Sequence, residues 1–218
     1  MSAAGVLKVT IPPKDTQKYN ITSTVGADII RPLFIFFGRR CSALETKPKI
    51  YMICGISGSG KTRFSKELEL FGIPRISMDE ELWPDFYVLA DMISDEHRDY
   101  LYSEATKRIY AKVANFCAEK RPCSVDMPFC KLAQRNAFRA HIENCGGEPV
   151  LVWINTDLPV LKRRLADRIG KNGPNNLPVS EAEVEMFWRG FQRPVGENAI
   201  EISGEAPFDI ENFLERYR

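Results

Sequence analysis

The apolar positions of this chain fall into short continuous runs that alternate with longer stretches of helical spacing. Residues 47–54 read Lys-Pro-Lys-Ile-Tyr-Met-Ile-Cys, and residues 150–154 read Val-Leu-Val-Trp-Ile. Both are runs of strand length, and the second has the unbroken apolar character of a parallel strand covered on two faces. Shorter pieces at 75–79, 123–126 and 199–202 complete five predicted strands. After the first strand, Phe64, Leu68 and Phe71 recur at helical spacing over 63–71. Leu101, Ala105, Ile109, Val113 and Phe116 stripe a long helix that opens at a Ser94 cap, with Asp95 and Glu96 in its first turn, and runs to about Lys120. Helices are predicted over 132–145, ended by Gly146-Gly147, and over 158–169. A capping box, Ser180-Glu-Ala-Glu183, opens another to about Phe191, and the last covers 208–217. Residues 80–90 read as an acidic, aromatic connector carrying Trp83, Pro84, Phe86 and Tyr87. Alternating strands and helices predict an α/β fold with a parallel sheet and right-handed crossovers.

Residues 1–46 are patterned differently. The stretch 6–11 alternates as a strand and stops at Pro12-Pro13, and 20–25 and 29–37 are further strand-like pieces. This predicts a small β-rich N-terminal extension over 1–46 ahead of a main domain over 47–218, packed on that domain or on a second copy in a homodimer. With 218 residues, 44% hydrophobic and 27% charged, the composition is that of a globular chain able to bury a full core. A net charge of +1 excludes a global field toward nucleic acid or anionic membrane. The cysteines at 41, 54, 117, 123, 130 and 145 form no C-x-x-C pair, and two histidines at 97 and 141 supply no zinc spacing. They read as reduced thiols of a cytoplasmic protein. No apolar run approaches the ~20 residues that span a bilayer. The first twenty residues lack a signal peptide's apolar centre, while eight Lys and Arg against three Asp and Glu over 1–50 keep an organelle transit segment open.

The chemistry concentrates at Gly55-Ile-Ser-Gly-Ser-Gly-Lys-Thr62, which fits the phosphate-loop pattern G-x-x-x-x-G-K-[ST] at every fixed position. Gly55, Gly58 and Gly60 let successive N–H groups converge on one anion, with Ser57 and Ser59 shaping the turn. The helix beginning near Gly60 aims its positive end at the same place. Lys61 is expected to reach the β- and γ-phosphates of ATP, and the Thr62 hydroxyl to ligate Mg²⁺. A strand before and a helix after are the arrangement this pattern requires.

The phosphate loop, Asp79 closing strand two, Asp126 closing strand three, Arg135 nine residues later, Leu161-Lys-Arg-Arg-Leu-Ala-Asp-Arg168 and Phe191-Gln-Arg-Pro194 together resemble the P-loop kinases. Over residues 47–218 the chain is most similar to the branch holding zeta-toxin-like, polynucleotide-kinase-like and gluconate-kinase-like proteins. The resemblance implies a three-layer P-loop NTPase fold, a five-stranded parallel sheet flanked by helices, with a mobile lid over about 168–180. It implies that Asp79 orients and deprotonates an acceptor hydroxyl, a role weighed against plain capping of the next turn. Asp126 would hold Mg²⁺ or face the substrate. Arg164 and Arg168, four apart on one helix face, would close over the transferring phosphoryl group. Arg135 would bind substrate or lie on the surface.

The sequence also departs from that branch. Met127-Pro-Phe129 follows Asp126 where small, hydroxyl or amide residues are usual, and Glu80 and Glu81 follow Asp79 where a basic residue is usual. Residues 76–99 hold eight acidic residues and a single Arg, which disfavours a polyanionic acceptor if that wall faces the cleft. The expected activity is ATP-dependent phosphorylation of a hydroxyl on a small molecule. The alternatives are a polynucleotide 5′-hydroxyl kinase and a non-catalytic, nucleotide-regulated binding module. A GTPase is disfavoured because no N-K-x-D sequence is present. His97, His141, Trp83 and Cys54 read as exposed or packing residues.

Overall fold

Parallel strands in the order β2-β3-β1-β4-β5 form the sheet of this protein, seen in a computed structural model that describes residues 46–89, 94–168, 173–174 and 179–218. β1 (Lys49–Cys54) is central, with Ile50 opposite Cys123 of β3 (Cys123–Asp126) and Ile53 opposite Val152 of β4 (Glu148–Asn155). β2 (Arg75–Ser77) pairs with β3, and β5 (Ile200–Ser203) with β4, all in parallel. The expected five-stranded parallel sheet is therefore present.

Alternation along β1 divides the core in two. Ile50, Met52 and Cys54 face one way, into Ile109 and Val113 of α3 (Asp95–Ala118) and Phe138 and Ile142 of α4 (Leu132–Asn144). Tyr51 and Ile53 face the other, into Phe64 and Leu68 of α1 (Lys61–Leu70) and Phe213 and Leu214 of α7 (Ile210–Tyr217). A third cluster joins Ile56 of the phosphate loop to Leu161 and Leu165 of α5 (Leu158–Ala166) and Val184 of α6 (Glu181–Gly190). The Ser180 capping box is formed, with the Ser180 hydroxyl accepting from the Glu183 N–H.

Two expectations are corrected. The connector predicted over 80–90 is a helix, α2 (Met78–Leu89), which follows β2 without a loop. Pro84 within it argued for a break, since it has no N–H to donate. Tertiary contacts override that cost: Met78 and Leu82 are buried against α3, and Glu81 pairs with Arg108 and Lys112 of α3. Asp79, Glu80 and Glu81 also fall in the first turn, where the helix dipole favours acids. Second, α5 stops at Ala166. The Arg168 N–H turns back to Leu165 O at 3.1 Å, so Arg168 leaves the helical face it was expected to share with Arg164.

The chain divides between Ala43 and Leu44 into two units. The strands expected over 1–46 and most of the lid expected over 168–180 lie outside the described residues. No helix among the described residues is long and apolar enough to cross a membrane.

Candidate active site

The phosphate loop, Asp79 and Asp126 lie at the carboxyl ends of β1, β2 and β3, where ligands bind in open parallel sheets. The chain leaves β1 at Gly55, whose N–H donates to Pro128 O at 3.3 Å. A Cβ at Gly55 would lie 2.6 Å from Ser59 Oγ and 2.9 Å from Ile154 O, so only glycine fits the start of the loop. The loop closes on itself through Ser59 N–H to Ile56 O at 3.1 Å and runs straight into α1. No side chain caps α1 and its first turn holds no acid, which leaves its N-terminal N–H groups open to an anion. Lys61, 9% exposed, bends over its own loop to donate to Ile56 O at 3.0 Å.

Thr62 donates its hydroxyl proton to Asp126 Oδ2 at 2.8 Å, joining the loop to the end of β3. The buried Asp126 also lies 3.5 Å from the guanidinium of Arg75, at the start of β2. Asp79 stands in the first turn of α2. Burial, and then the negative charge of Asp126, push its carboxyl up from 3.8 to about 6, against the opposing pull of Lys61, Arg168 and Arg75. Lys61, Thr62, Asp79, Asp126 and Arg168 thus line one cleft of about 130 Å³ together with Ser57.

Two expected residues are elsewhere. Arg164 grips the outer side of the phosphate loop, donating to Gly58 O and Ser59 O at 3.2 Å and to Gly204 O at 2.7 Å. Arg135 is fully buried beneath the 127–130 loop; it donates to Phe129 O at 2.8 Å and forks onto the Glu197 carboxylate. Of the tempting residues, His97 is exposed, and His141 approaches Tyr110 O with Nε2 at 2.9 Å. Cys54 is packed inside β1, where burial pushes its thiol up to about 12.

Several residues of the site escaped sequence reasoning. Gly204, just after β5, lies so close to the phosphate loop that a Cβ there would fall 2.1 Å from Thr156 Oγ1 and 2.2 Å from Ser59 O. Thr156 itself donates to Ser59 O at 2.9 Å. Arg75 had a usable signal, because strand alternation puts it on the face of Ser77, two residues short of Asp79. Glu197 and Gly204 had none, being far along the chain from their partners.

The residues present fit a magnesium–nucleoside triphosphate. An uncapped helix start and a lysine answer the phosphates, and a hydroxyl beside a carboxylate answers the cation. Among the described residues no group of three or more His, Cys, Asp or Glu could hold a metal by itself. Mg²⁺ usually takes one or two protein oxygens and fills the rest of its shell with phosphate and water.

A profile of the AAA domain family matches residues 50–194. No curated protein matches the chain. Among solved structures, a candidate kinase from Chloroflexus aurantiacus is 18% identical with a TM-score of 0.64, covering 78% of this chain and 97% of that one. A gluconokinase from Sinorhizobium meliloti is 18% identical with a TM-score of 0.51, over 79% of this chain and 99% of that one. The APS kinase of Mycobacterium tuberculosis, solved with AMPPNP and APS, is 17% identical with a TM-score of 0.51, over 78% of this chain and 96% of that one. Such identities establish a shared fold and leave chemistry to the site. With the matched profile running from β1 through the loop after α6, well over half its length, the chain belongs to the AAA domain family and has the fold of the P-loop kinases.

Proposed function

We propose that this domain transfers the γ-phosphoryl group of ATP to a hydroxyl of a small-molecule acceptor. The observation that carries the reading is the Asp79 carboxyl, raised to about 6 in the same cleft as Lys61, Thr62 and Asp126. A carboxylate of that basicity is ionised at neutral pH and still suited to accept a proton as a hydroxyl attacks. Mg²⁺, when bound, would supply neutralisation of the phosphate charge. Thr62 and Asp126 are the residues to hold it, Asp126 directly or through water. The loop from Gly55 to Gly60 and the start of α1 hold the phosphates by backbone N–H groups, with Ser57 and Ser59 giving the loop its shape. Lys61 swings from Ile56 O to the phosphates. Arg168 lies on the cleft to offset charge on the transferring group. Arg164 acts one step removed, fixing the loop from behind. Arg135 holds the acceptor-side loop and makes no substrate contact in this reading.

The test is transfer of label from γ-labelled ATP–Mg²⁺ into pooled small alcohols and 5′-hydroxyl oligonucleotides, with Asp79→Asn in parallel. Label entering one acceptor, and lost in the variant while ATP still binds, is the expected result. Tight ATP binding with no transfer to any pool would replace the reading by a nucleotide-regulated binding module. Transfer only to oligonucleotides would make the protein a polynucleotide kinase.

A further inference from the structure

Beside the phosphate cleft lies a second cavity, of about 530 Å³, between α3, α4 and the loop that follows β3. Its size falls within the roughly 300–1,000 Å³ of small-molecule sites. Pro128 lines both spaces, and Met78, which precedes Asp79, lines the cavity, so the cavity adjoins the cleft that holds Asp79 and the phosphate loop. Met78, Tyr102, Tyr110, Met127, Phe129 and Phe138 make most of its walls apolar and aromatic, with uncharged polar groups from Ser103, Thr106 and Gln134. Tyr110 and Phe129 each meet Phe138 edge to face, with ring centroids 4.9 and 5.0 Å away. This floor is built in advance. Phe129 sits at φ 47°, a left-handed conformation rare for a bulky residue, and its carbonyl is held by Arg135 at 2.8 Å. Strain of that kind persists where the surroundings enforce it, here to turn Phe129 inward at 3% exposure.

The charge of the lining is as telling as its shape. Among the described residues no Lys or Arg lines the cavity, and Asp99 is its one ionisable carboxylate. Glu80 and Glu81, which the sequence put in the same acidic wall, are neutralised elsewhere by Arg75 and by Arg108 and Lys112. An acceptor bearing carboxylate, sulfate or phosphate groups would lose its hydration here and meet a like charge.

Resting on the kinase reading above, we propose that this cavity is the acceptor site and that the acceptor is an uncharged alcohol built on an aromatic ring. The ring lies on the Phe129–Phe138–Tyr110 floor, and the hydroxyl projects past Pro128 toward Asp79. There the hydroxyl oxygen forms a bond to the γ-phosphorus, the bond from that phosphorus to the β–γ bridging oxygen breaks, and the proton passes to Asp79. ADP departs with the electron pair.

Calorimetric titration of the full chain, without nucleotide, separates this proposal from the kinase reading. The probes are uridine and 2-phenylethanol as uncharged aromatic alcohols, and gluconate and a 5′-hydroxyl oligonucleotide as anionic ones. The aromatic alcohols bind and the anions do not. Ala137→Trp, at an exposed position of α4 on the cavity wall, weakens them about tenfold or more, as expected when roughly 60 Å² of apolar contact is displaced. Ser103→Arg, on the facing wall, shifts preference toward the anions without removing core volume. Aromatic alcohols that bind in this pattern but take no label from ATP would sustain the assigned ligand class and overturn the kinase reading. Labelling of an anionic acceptor alone, or binding indifferent to both variants, or no binding by either aromatic alcohol, would overturn the proposal.

Discussion

Asp79 carries a stability cost that its proposed role explains. Folding raises its carboxyl from 3.8 to about 6, chiefly by burial. Below pH 3.8 both folded and unfolded chains hold the proton and the group costs nothing. Between 3.8 and about 6 the unfolded chain releases it first, so this group's contribution falls as pH rises, and above 6 the full penalty applies. Asp79→Asn should therefore stabilise the fold at pH 7 by up to about 3 kcal/mol, at about 1.4 kcal/mol per pKa unit. Urea denaturation at pH 7 and pH 4 checks this, with the gain shrinking at the lower pH. The same proton governs activity: kcat/KM for transfer should climb with pH through about 6 and then level. Asp79 was legible because a carboxylate at that distance from a phosphate loop is part of the resemblance. Its raised basicity was not, since it depends first on burial under the fold and then on Asp126 at the end of the neighbouring β3.

At the scale of elements, the outcome turned on how far apart partners lie in sequence. Strands and most helix ends were readable because their signals are local: a run of apolar residues, Ser180 with Glu183, or glycines after α4. The last is plain in the Gly147 N–H bonding back to Ile142 O at 2.9 Å. α2 is hidden from local signals because Pro84 argues against it and packing on α3 outweighs that. The burial of Arg135 is hidden as well, because nothing near it in sequence announces Glu197. The pair is enclosed, at 1% and 11% side-chain exposure, and Arg139 also reaches Glu197, at 2.8 Å. Arg135→Met should cost roughly 3–5 kcal/mol, the loss expected when one partner of a buried pair is removed. Because Arg135 also holds Phe129 O, acceptor KM should rise in this variant while ATP affinity is kept. Thermal unfolding and steady-state kinetics would read the two effects; weakened ATP binding with unchanged acceptor KM would refute the second.

Across the whole molecule, five separate stretches converge on one rim of the sheet: the loop after β1, the start of α2, the loop after β3, the end of α5 and the turn after β5. Their meeting follows from the strand order, which puts β1 between β3 and β4 so that its loop touches both neighbours. The fold class was legible from alternation alone, whereas the turn after β5 gave no hint of belonging to the site. Gly204 tests that membership. Gly204→Ala would drive a methyl group into Thr156 and Ser59 and should weaken ATP binding, with a smaller effect on the acceptor. Equal loss for both ligands would point to general unfolding instead.

That same turn leads directly into α7, which begins six residues later and ends one residue short of the C-terminus. Gly204 O and Ser59 O are both held by the Arg164 guanidinium, which ties the phosphate loop to the turn. If the phosphate loop takes ATP as proposed, binding there should tighten the turn and the helix that follows it. Backbone amides over 204–217 should exchange more slowly with deuterated solvent when ATP–Mg²⁺ is added, because α7 packs on α1, the helix that starts at the phosphate loop.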